Sequence, residues 1–266
     1  MQSLSLVVLQ LWRMRQLLWA LTWREIQGRY TGTVLGVAWM YIQPLCSLAA
    51  FYLVFDVVMG LRLGADAPAQ SVGAFLVVGA LPWMALSDAV ARGTSSLLDA
   101  GGLLQKNALP PALFPTRAVL GSAVVYAPLL VLLVLVYTPL HQWQWPLVWM
   151  AGLLLAQLLL GLLLAHVLAI LAVAMRDTVQ MVGFALSLGV YLAPILFPLQ
   201  MIPQALRWVL WLNPVTPLVI GYQHVLLQGV APPWQVAPVL LAWLVLLVVL
   251  LRVLMRRCYD QLVDWL

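Results

Sequence analysis

The sequence predicts an all-α polytopic membrane protein, and three observations support this fold class. Of the 266 residues, 65% are hydrophobic and 8% are charged, whereas soluble domains carry roughly 25% charged residues. The mean hydropathy is +1.03, and long apolar runs recur along the chain without a break in composition. We therefore expect a single membrane domain over residues 1–266.

Six segments are long and apolar enough to cross a bilayer. A transmembrane helix needs about 20 apolar residues to cross a hydrocarbon layer of about 30 Å. Cys46 lies within the first segment and Cys258 follows the last, so we expect no disulfide between them. The predicted spans are Thr33–Gly60, Val72–Leu98, Arg117–Pro139, Leu147–Ala174, Thr178–Leu199 and Val236–Met255.

The basic residues at the ends of these spans predict that both termini are cytosolic. Cytosolic loops carry an excess of Lys and Arg, and such residues concentrate on one side of the predicted spans. The net charge of +5 follows mostly from this bias, so it does not indicate nucleic-acid binding. The cytosolic set is Arg13, Arg15, Arg24, Arg29, Lys106, Arg117, Arg176, Arg256 and Arg257, and the opposite set is Arg62 and Arg207.

Residues 1–30 predict a cytosolic helix that lies in the membrane interface. From Leu4 to Gln27, Gln and Arg side chains recur near one helical face, while Leu, Val and Trp supply the rest. A basic, Trp-rich amphipathic helix of this kind lies flat in the interface. It is either an anchor beside the membrane or a helix that also contacts a cytosolic partner. Its rings are Trp12, Trp19 and Trp23.

A glycine series leads into the first span. Gly28, Gly32 and Gly36 are four residues apart, and small residues at that spacing on one helix face let two helices approach closely. The series does not resemble a phosphate loop, because no Lys-Ser or Lys-Thr follows at the required spacing. If the protein uses ATP, a partner subunit must bind the nucleotide and its Mg²⁺, and we expect no cofactor in this chain.

The longest cytosolic loop, residues 99–116, is a candidate docking element for a partner. We expect Asp99 to cap a short helix that ends near Asn107 and shows its side chains to the cytosol, and Pro110, Pro111 and Pro115 to hold the chain extended afterwards. Docking through such a helix is a common mode of recognition, although a plain linker is the alternative. The candidate coupling residues are Asp99, Gly101, Leu103, Leu104, Lys106 and Asn107.

A short charged turn separates the fourth and fifth predicted spans. Arg176 and Asp177 interrupt an apolar run from Leu147 to Leu199, and charge at bilayer depth costs roughly 2.5–3.5 kcal/mol even on the lenient insertion scale. The pair therefore marks a tight cytosolic turn. We interpret it as a second, smaller contact with the partner, and the alternative is a topological marker whose Asp177 caps the fifth helix.

The last extracellular segment, residues 200–235, predicts re-entrant half-helices. Eight of the seventeen prolines lie between Pro194 and Pro238, and the apolar pieces among them are too short to span a bilayer. Asn213-Pro214 predicts a helix start and Gly229 a helix stop. Irregular backbone at membrane depth must be covered by protein or line a cavity. We therefore expect a pore mouth, with a surface-lying hairpin as the alternative.

Polar residues within the spans are few, and they do not indicate catalysis. Asp88 and Arg92 are four residues apart and can pair along one helix, and a lone His166 is more typical of a structural hydrogen-bonding group. His141 and His224 fall in extracellular segments. No metalloprotease motif, catalytic carboxylate pair or Ser-His-Asp order is evident. An intramembrane enzyme and an ion-coupled carrier are therefore both disfavoured.

The order of these features resembles the permease subunits of ABC type-2 exporters for polysaccharides, which serve capsular polysaccharide, O-antigen and teichoic acid systems. The similarity covers nearly the whole chain. Its most specific part is the order of Arg176-Asp177, Pro194, Pro198, Pro203 and Asn213-Pro214 near the end. The other matching segments are WREIQGRYTGTVLGVAWMYIQPL, GALPWMALSDAV and LLQKNALPPALFP.

The resemblance implies a homodimeric channel in the bacterial inner membrane. Two cytosolic ATPase subunits, which bind ATP and Mg²⁺, would drive export of a lipid-linked polysaccharide, with periplasmic or outer-membrane components as further partners. Because aromatic faces contact sugars without trapping a moving polymer, we expect aromatic residues to line the channel. The candidate channel residues are Trp39, Tyr41, Tyr52, Trp83 and Tyr191, and the candidate extracellular gate is Asn213, Pro214, Tyr222, Gln223 and His224.

Two other functions fit the same sequence. An ABC type-2 exporter of a small amphipathic drug or lipid would share the fold and the docking loop. A membrane scaffold or enzyme without transport activity would bind no ATPase. An adjacent ATPase gene together with glycosyltransferase genes would separate these classes.

Overall fold

The computed structural model describes residues 4–258, except for residues 64–68, 70, 108 and 138–146. Its regular structure is helical, and an isolated bridge joins Arg62 to Ser71. The predicted end of the third span at Pro139, His141 and the residues after Cys258 lie outside this description. The helices are α1 (Leu4–Arg13), α2 (Arg15–Tyr30), α3 (Trp39–Tyr52), α4 (Val72–Asp99), α5 (Gly101–Lys106), α6 (Leu113–Tyr137), α7 (Val148–Ala174), α8 (Thr178–Gly189), α9 (Arg207–Trp211), α10 (Thr216–Gln223) and α11 (Val236–Cys258).

Within the described residues, five helical segments are long and apolar enough to cross a membrane. They correspond to the first four predicted spans and to the last. The first is composite, because a 3-10 turn at Gly36–Ala38 and a π-helical segment at Leu53–Val58 flank α3. The five segments are Gly36–Val58, Val72–Asp99, Leu113–Tyr137, Val148–Ala174 and Val236–Arg257.

The fifth predicted span is only partly helical. α8 has 12 residues and ends at Gly189, which corresponds to about 18 Å at 1.5 Å per residue. The chain then continues in turns and bends as far as Pro198, and Pro194 and Pro198 lack the backbone N–H that a helix needs. The structure therefore has no continuous helix from Thr178 to Leu199.

α4 lies at the centre of the fold and contacts α3, α6, α7, α8 and α10. Its start is fixed by Ser71, whose hydroxyl accepts a hydrogen bond from the Ala74 N–H at 3.0 Å, as a helix cap does. Gly93 lets α7 approach closely, because a Cβ at this position would lie 2.3 Å from the Ala165 Cβ. Helices in lipid have no hydrophobic driving force for association. Small residues such as Gly93 allow close van der Waals packing, which stabilises the contact instead.

The N-terminal segment forms two helices instead of one, with a break at Met14. Leu18, Thr22 and Ile26 are buried on one face of α2, which packs against α6. The three tryptophans of the segment are exposed. The tryptophan rings thus lie outside the protein core.

The glycine series does not form the predicted helix-packing face. α2 ends at Tyr30, and Gly32 and Gly36 have positive φ angles of 81° and 54°, which glycine adopts readily. A Cβ at Gly28, Gly32 or Gly36 would meet nothing within 4 Å. Gly32 and Gly36 lie in the turns that lead from α2 into the first span.

Candidate functional site

The predicted docking loop contains a short helix, α5, but three of its residues differ from expectation. Asp99 is the last residue of α4 and does not cap α5, because its carboxylate accepts a hydrogen bond from Ser95 Oγ at 2.9 Å. Leu104 is 4% exposed and packs in the core with Ala100 and Phe114. The chain is also not extended through Pro115, which lies in the first turn of α6, where a missing N–H is tolerated.

α5 and the residue after it therefore expose fewer of the candidate coupling residues than the sequence predicts. Leu103 is 40% exposed, and Lys106 and Asn107 are also exposed. Gly101 is buried. Adjacent residues on a helix point about 100° apart, so Leu103 and Leu104 face different surroundings.

The second predicted contact, Arg176-Asp177, is an exposed turn between α7 and α8. Asp177 occupies the N-cap position of α8, yet its side chain makes no capping hydrogen bond. Among the described residues, neither side chain forms an ion pair or a hydrogen bond, so the two charges do not pair with each other. Both side chains are free to meet a partner.

Asn213 connects the predicted extracellular segment to the chain that follows α8. Its side-chain amide donates a hydrogen bond to the Leu192 carbonyl at 3.1 Å, and its Oδ1 accepts one from the Val215 N–H at 3.0 Å. α10 begins at Thr216 with Pro217 in its first turn, so Asn213-Pro214 is not the predicted cap pair. The Asn213 side chain instead pairs with a backbone carbonyl in the turns that follow α8.

Gln223 makes the second connection of this kind. Its amide donates a hydrogen bond of 2.8 Å to the Pro194 carbonyl, and the residue is 3% exposed. Gly79 of α4 leaves room for this contact, because a Cβ there would lie 3.2 Å from Gln223 Nε2 and 3.3 Å from the Ile195 Cα. Non-helical backbone is thus packed against α4 and has its carbonyls paired.

Tyr222 belongs to a buried polar chain that the sequence did not predict. Its hydroxyl donates a hydrogen bond of 2.8 Å to Gln157 Oε1, and Gln157 Nε2 donates one of 3.2 Å to the Pro82 carbonyl. Gln157 is a polar residue in the apolar run of α7, which was the available signal. The chain joins α10, α7 and α4.

The remaining gate residues differ in exposure. His224 is half-buried, and its Nδ1 lies 2.9 Å from the Ile220 carbonyl. Pro214 is also half-buried. Gly229, with a φ of 66°, ends the helical segment that follows α10, which confirms the predicted helix stop.

The five candidate channel residues fall into two groups. Trp39, Tyr52 and Tyr191 are exposed, at 40%, 51% and 61% respectively. Tyr41 and Trp83 are half-buried and pack against the core, and the Trp83 ring lies against Gly189 at the end of α8. The second group contributes to helix packing within one chain.

The polar residues within the spans are paired as the sequence predicts. Arg92 Nε lies 2.7 Å from Asp88 Oδ1, and Ser122 of α6 donates a hydrogen bond to the other carboxylate oxygen. His166 Nδ1 lies 2.7 Å from the Leu162 carbonyl, and its Nε2 lies 3.3 Å from Thr116 Oγ1. His166 is thus a structural hydrogen-bonding group.

Comparison with known proteins identifies the family. Residues 16–227 match the family described as ABC-2 type transporter. The chain is 33% identical over 232 residues to the O-antigen export system permease protein RfbA of Myxococcus xanthus, with 85% of this chain and 86% of that protein covered. It is 24% identical over 218 residues to a protein of the same name from Klebsiella pneumoniae, with coverages of 80% and 81%.

These matches agree with the resemblance that the sequence motifs indicate. The match includes all of α2 except Arg15 and extends through α10. It therefore covers the predicted docking loop, the charged turn and most of the proline-rich segment at residues 200–235. The chain belongs to the ABC-2 type transporter family.

Proposed function

We propose that the chain is the membrane-spanning subunit of an ATP-driven exporter that moves a lipid-linked polysaccharide, of the O-antigen or capsule type, across the bacterial inner membrane. The observation that carries this proposal is the 33% identity, over 85% of the chain, to an O-antigen export system permease protein. ATP and Mg²⁺ bind to two partner ATPase subunits, and this chain supplies no ATP site.

The sixth crossing is completed by the chain that follows α8. α8 alone is too short for a hydrocarbon layer of about 30 Å, whereas Ala193 and Ile195 beyond it are fully buried. Their neighbours at Leu192 and Pro194 have carbonyls paired with Asn213 and Gln223. Covered and paired backbone of this kind meets the requirement for irregular structure at membrane depth, which supports six crossings with both termini in the cytosol.

Two copies of the chain form the channel. α3, α8 and the turn after α8 expose large apolar or aromatic residues, including Trp39, Tyr52, Phe184 and Tyr191. The exposed face of α3 also carries the polar residue Gln43. In a lone chain these faces meet lipid. In a homodimer they enclose a path where aromatic rings contact sugar faces.

α9 and α10 form the re-entrant segment on the extracellular side. Every residue of α10 is buried, and the helix contacts α4, α7 and α11. Eight residues span about 12 Å, which suits a helix that dips into the outer leaflet and returns. The hydrogen bonds of Tyr222 and Gln223 hold it in place.

A complementation experiment tests the proposed function. In a strain without this chain, we expect the surface polysaccharide to disappear and its lipid-linked form to accumulate inside, and the intact chain should restore export. Surface polysaccharide that is unchanged without the chain contradicts the proposal. Increased sensitivity to small amphipathic compounds with normal surface polysaccharide would instead favour a drug or lipid exporter.

A further inference from the structure

A small polar cavity lies beside α2, between α3, α4 and α6. Its volume is 140 Å³, and its lining includes Arg29, Tyr30, Gln43, Asp88 and Arg92. Larger cavities elsewhere have different surroundings, such as the one of 350 Å³ bordered by α1, α6, α7 and α11, whose lining is almost entirely aliphatic. The small cavity therefore offers charged and hydrogen-bonding groups, whereas the cavity of 350 Å³ offers almost only hydrocarbon.

Charges around the cavity do not balance. Glu25 pairs with both Arg29 and Arg117, whose Nε lies 3.2 Å from Glu25 Oε2, and Asp88 pairs with Arg92. These ion pairs contain the guanidinium groups of Arg29, Arg92 and Arg117 but only two carboxylates, so the cluster has a net charge of +1. Because uncompensated charge near lipid is costly, an anion beside these residues is favoured.

Donors for such an anion are available. Arg92 uses only its Nε, and Arg29 only one terminal nitrogen, in the hydrogen bonds that the described residues make. The hydroxyl groups of Tyr30 and Tyr126, which also line the cavity, make no hydrogen bond within that part of the chain. Guanidinium groups with free N–H pairs are suited to phosphate oxygens.

The position of the cavity matches the phosphate layer of a bilayer. Arg92 lies seven residues before the end of α4 at Asp99, or about 10 Å along the helix axis. The hydrocarbon core is about 30 Å thick within a total of about 40–45 Å, so this depth is close to the boundary between headgroups and tails. Gln43 and Ser47 border the cavity and are exposed on α3, so the cavity opens at the surface of the single chain.

We propose that this cavity binds the phosphate group of a membrane lipid on the cytosolic side. The lipid is either a bulk phospholipid or the lipid that carries the exported glycan, and the second source rests on the proposed function. Both present the same phosphate oxygens to Arg29 and Arg92.

Lipid binding to the purified full-length chain in an uncharged detergent tests the proposal. The probes are phosphatidylglycerol, the diacylglycerol with the same tails, and inorganic phosphate, with bound lipid measured by native mass spectrometry. We expect phosphatidylglycerol to bind and diacylglycerol not to bind. Inorganic phosphate that binds as tightly as the phospholipid, or equal binding of the two lipids, overturns the proposal.

Charge-changing variants then locate the site. Arg92→Gln and Arg29→Gln should each weaken phosphatidylglycerol binding at least about tenfold, because each substitution removes charge-assisted hydrogen bonds to the phosphate oxygens. Asp88→Asn should strengthen it, because the substitution removes a negative charge beside Arg92 and the phosphate. The Asn amide oxygen can still accept the hydrogen bond from Arg92, and its NH2 group can donate one to the Ser122 hydroxyl in place of the bond that Asp88 accepts. Arg252→Gln, an exposed arginine on α11, is the matched control.

The sign of the Asp88→Asn effect separates binding from folding. If Asp88 and Arg92 only stabilise the helix packing, both substitutions weaken binding together, and the proposal fails. Surface polysaccharide in cells then distinguishes the two lipids: loss of export in Arg92→Gln indicates the glycan carrier, and normal export with lost binding indicates a bulk phospholipid. The binding result does not depend on whether the chain exports glycan.

Discussion

The side-chain amide of Gln223 on α10 donates a hydrogen bond of 2.8 Å to the backbone carbonyl of Pro194, in the interior of the protein. Pro194 lies in the non-helical chain that follows α8, where no helical donor serves this carbonyl. One side chain thus ties α10 to the non-helical chain that follows α8. This relationship explains how the fold accommodates irregular backbone among apolar helices.

Gln223→Met removes this hydrogen bond while nearly preserving side-chain volume. The Pro194 carbonyl then remains buried without its donor, which costs about 1–3 kcal/mol. We expect a lower apparent melting temperature for the purified protein in detergent. Gln228→Met is the control, because Gln228 is half-buried and makes no side-chain hydrogen bond within the described residues. Equal melting temperatures for the two variants would show that the Gln223 bond does not stabilise the fold.

Gly93→Ala should disrupt the contact between α4 and α7. The added methyl group would lie 2.3 Å from the Ala165 Cβ and 2.9 Å from its Cα, so the helix backbones must separate, at a cost of about 1–3 kcal/mol. Gly152→Ala on α7 is the control, since a Cβ there meets nothing within 4 Å. Thermal unfolding in detergent measures both, and an unchanged Gly93→Ala protein would contradict the close approach.

Leu103→Asp and Leu104→Asp should have different effects. Leu103 is 40% exposed, so its substitution should leave the protein folded but reduce ATP hydrolysis coupled to transport in vesicles that contain the partner ATPase. Leu104 is 4% exposed, and burial of an unpaired carboxylate there should destabilise the chain itself. Normal coupling in Leu103→Asp would mean that α5 is only part of a linker.

The charged turn gives a prediction about coupling without a change in stability. Because the Asp177 side chain makes no capping bond, Asp177→Asn should leave the melting temperature unchanged, as should Arg176→Ala at the exposed neighbouring position. If the turn contacts the ATPase, both variants should bind ATPase yet export less polysaccharide. Normal export by both variants would identify the turn as a topological marker.

Cysteine labelling tests the orientation of the chain. In a background with Cys46→Ser and Cys258→Ser, a cysteine replacing Lys106 should resist a membrane-impermeant reagent in spheroplasts. A cysteine replacing Gln204 should react, since both positions are exposed but lie on opposite predicted sides. The reverse pattern would overturn the six-crossing topology, and lysed spheroplasts control for the reactivity of each cysteine.

Much of the fold follows from the sequence because apolar length and loop charge are local properties. Five of the six predicted spans correspond to helical segments long enough to cross a membrane. The pairing of Asp88 with Arg92 was predictable for the same reason, since residues four apart share a helix face. The stop at Gly229 follows from the conformational freedom of glycine.

The sequence by itself thus determined the class of protein, most of the membrane-spanning segments and the family to which the chain belongs. Only the tertiary structure decided which of the candidate side chains are exposed and which are buried. Leu104, Tyr222 and Gln223 are candidate surface or gate residues by pattern, yet all three are buried. The reason is physical: helix periodicity fixes the direction of a side chain relative to its own helix, whereas contacts such as Gln223 with Pro194 join residues 29 positions apart and exist only after the helices have packed.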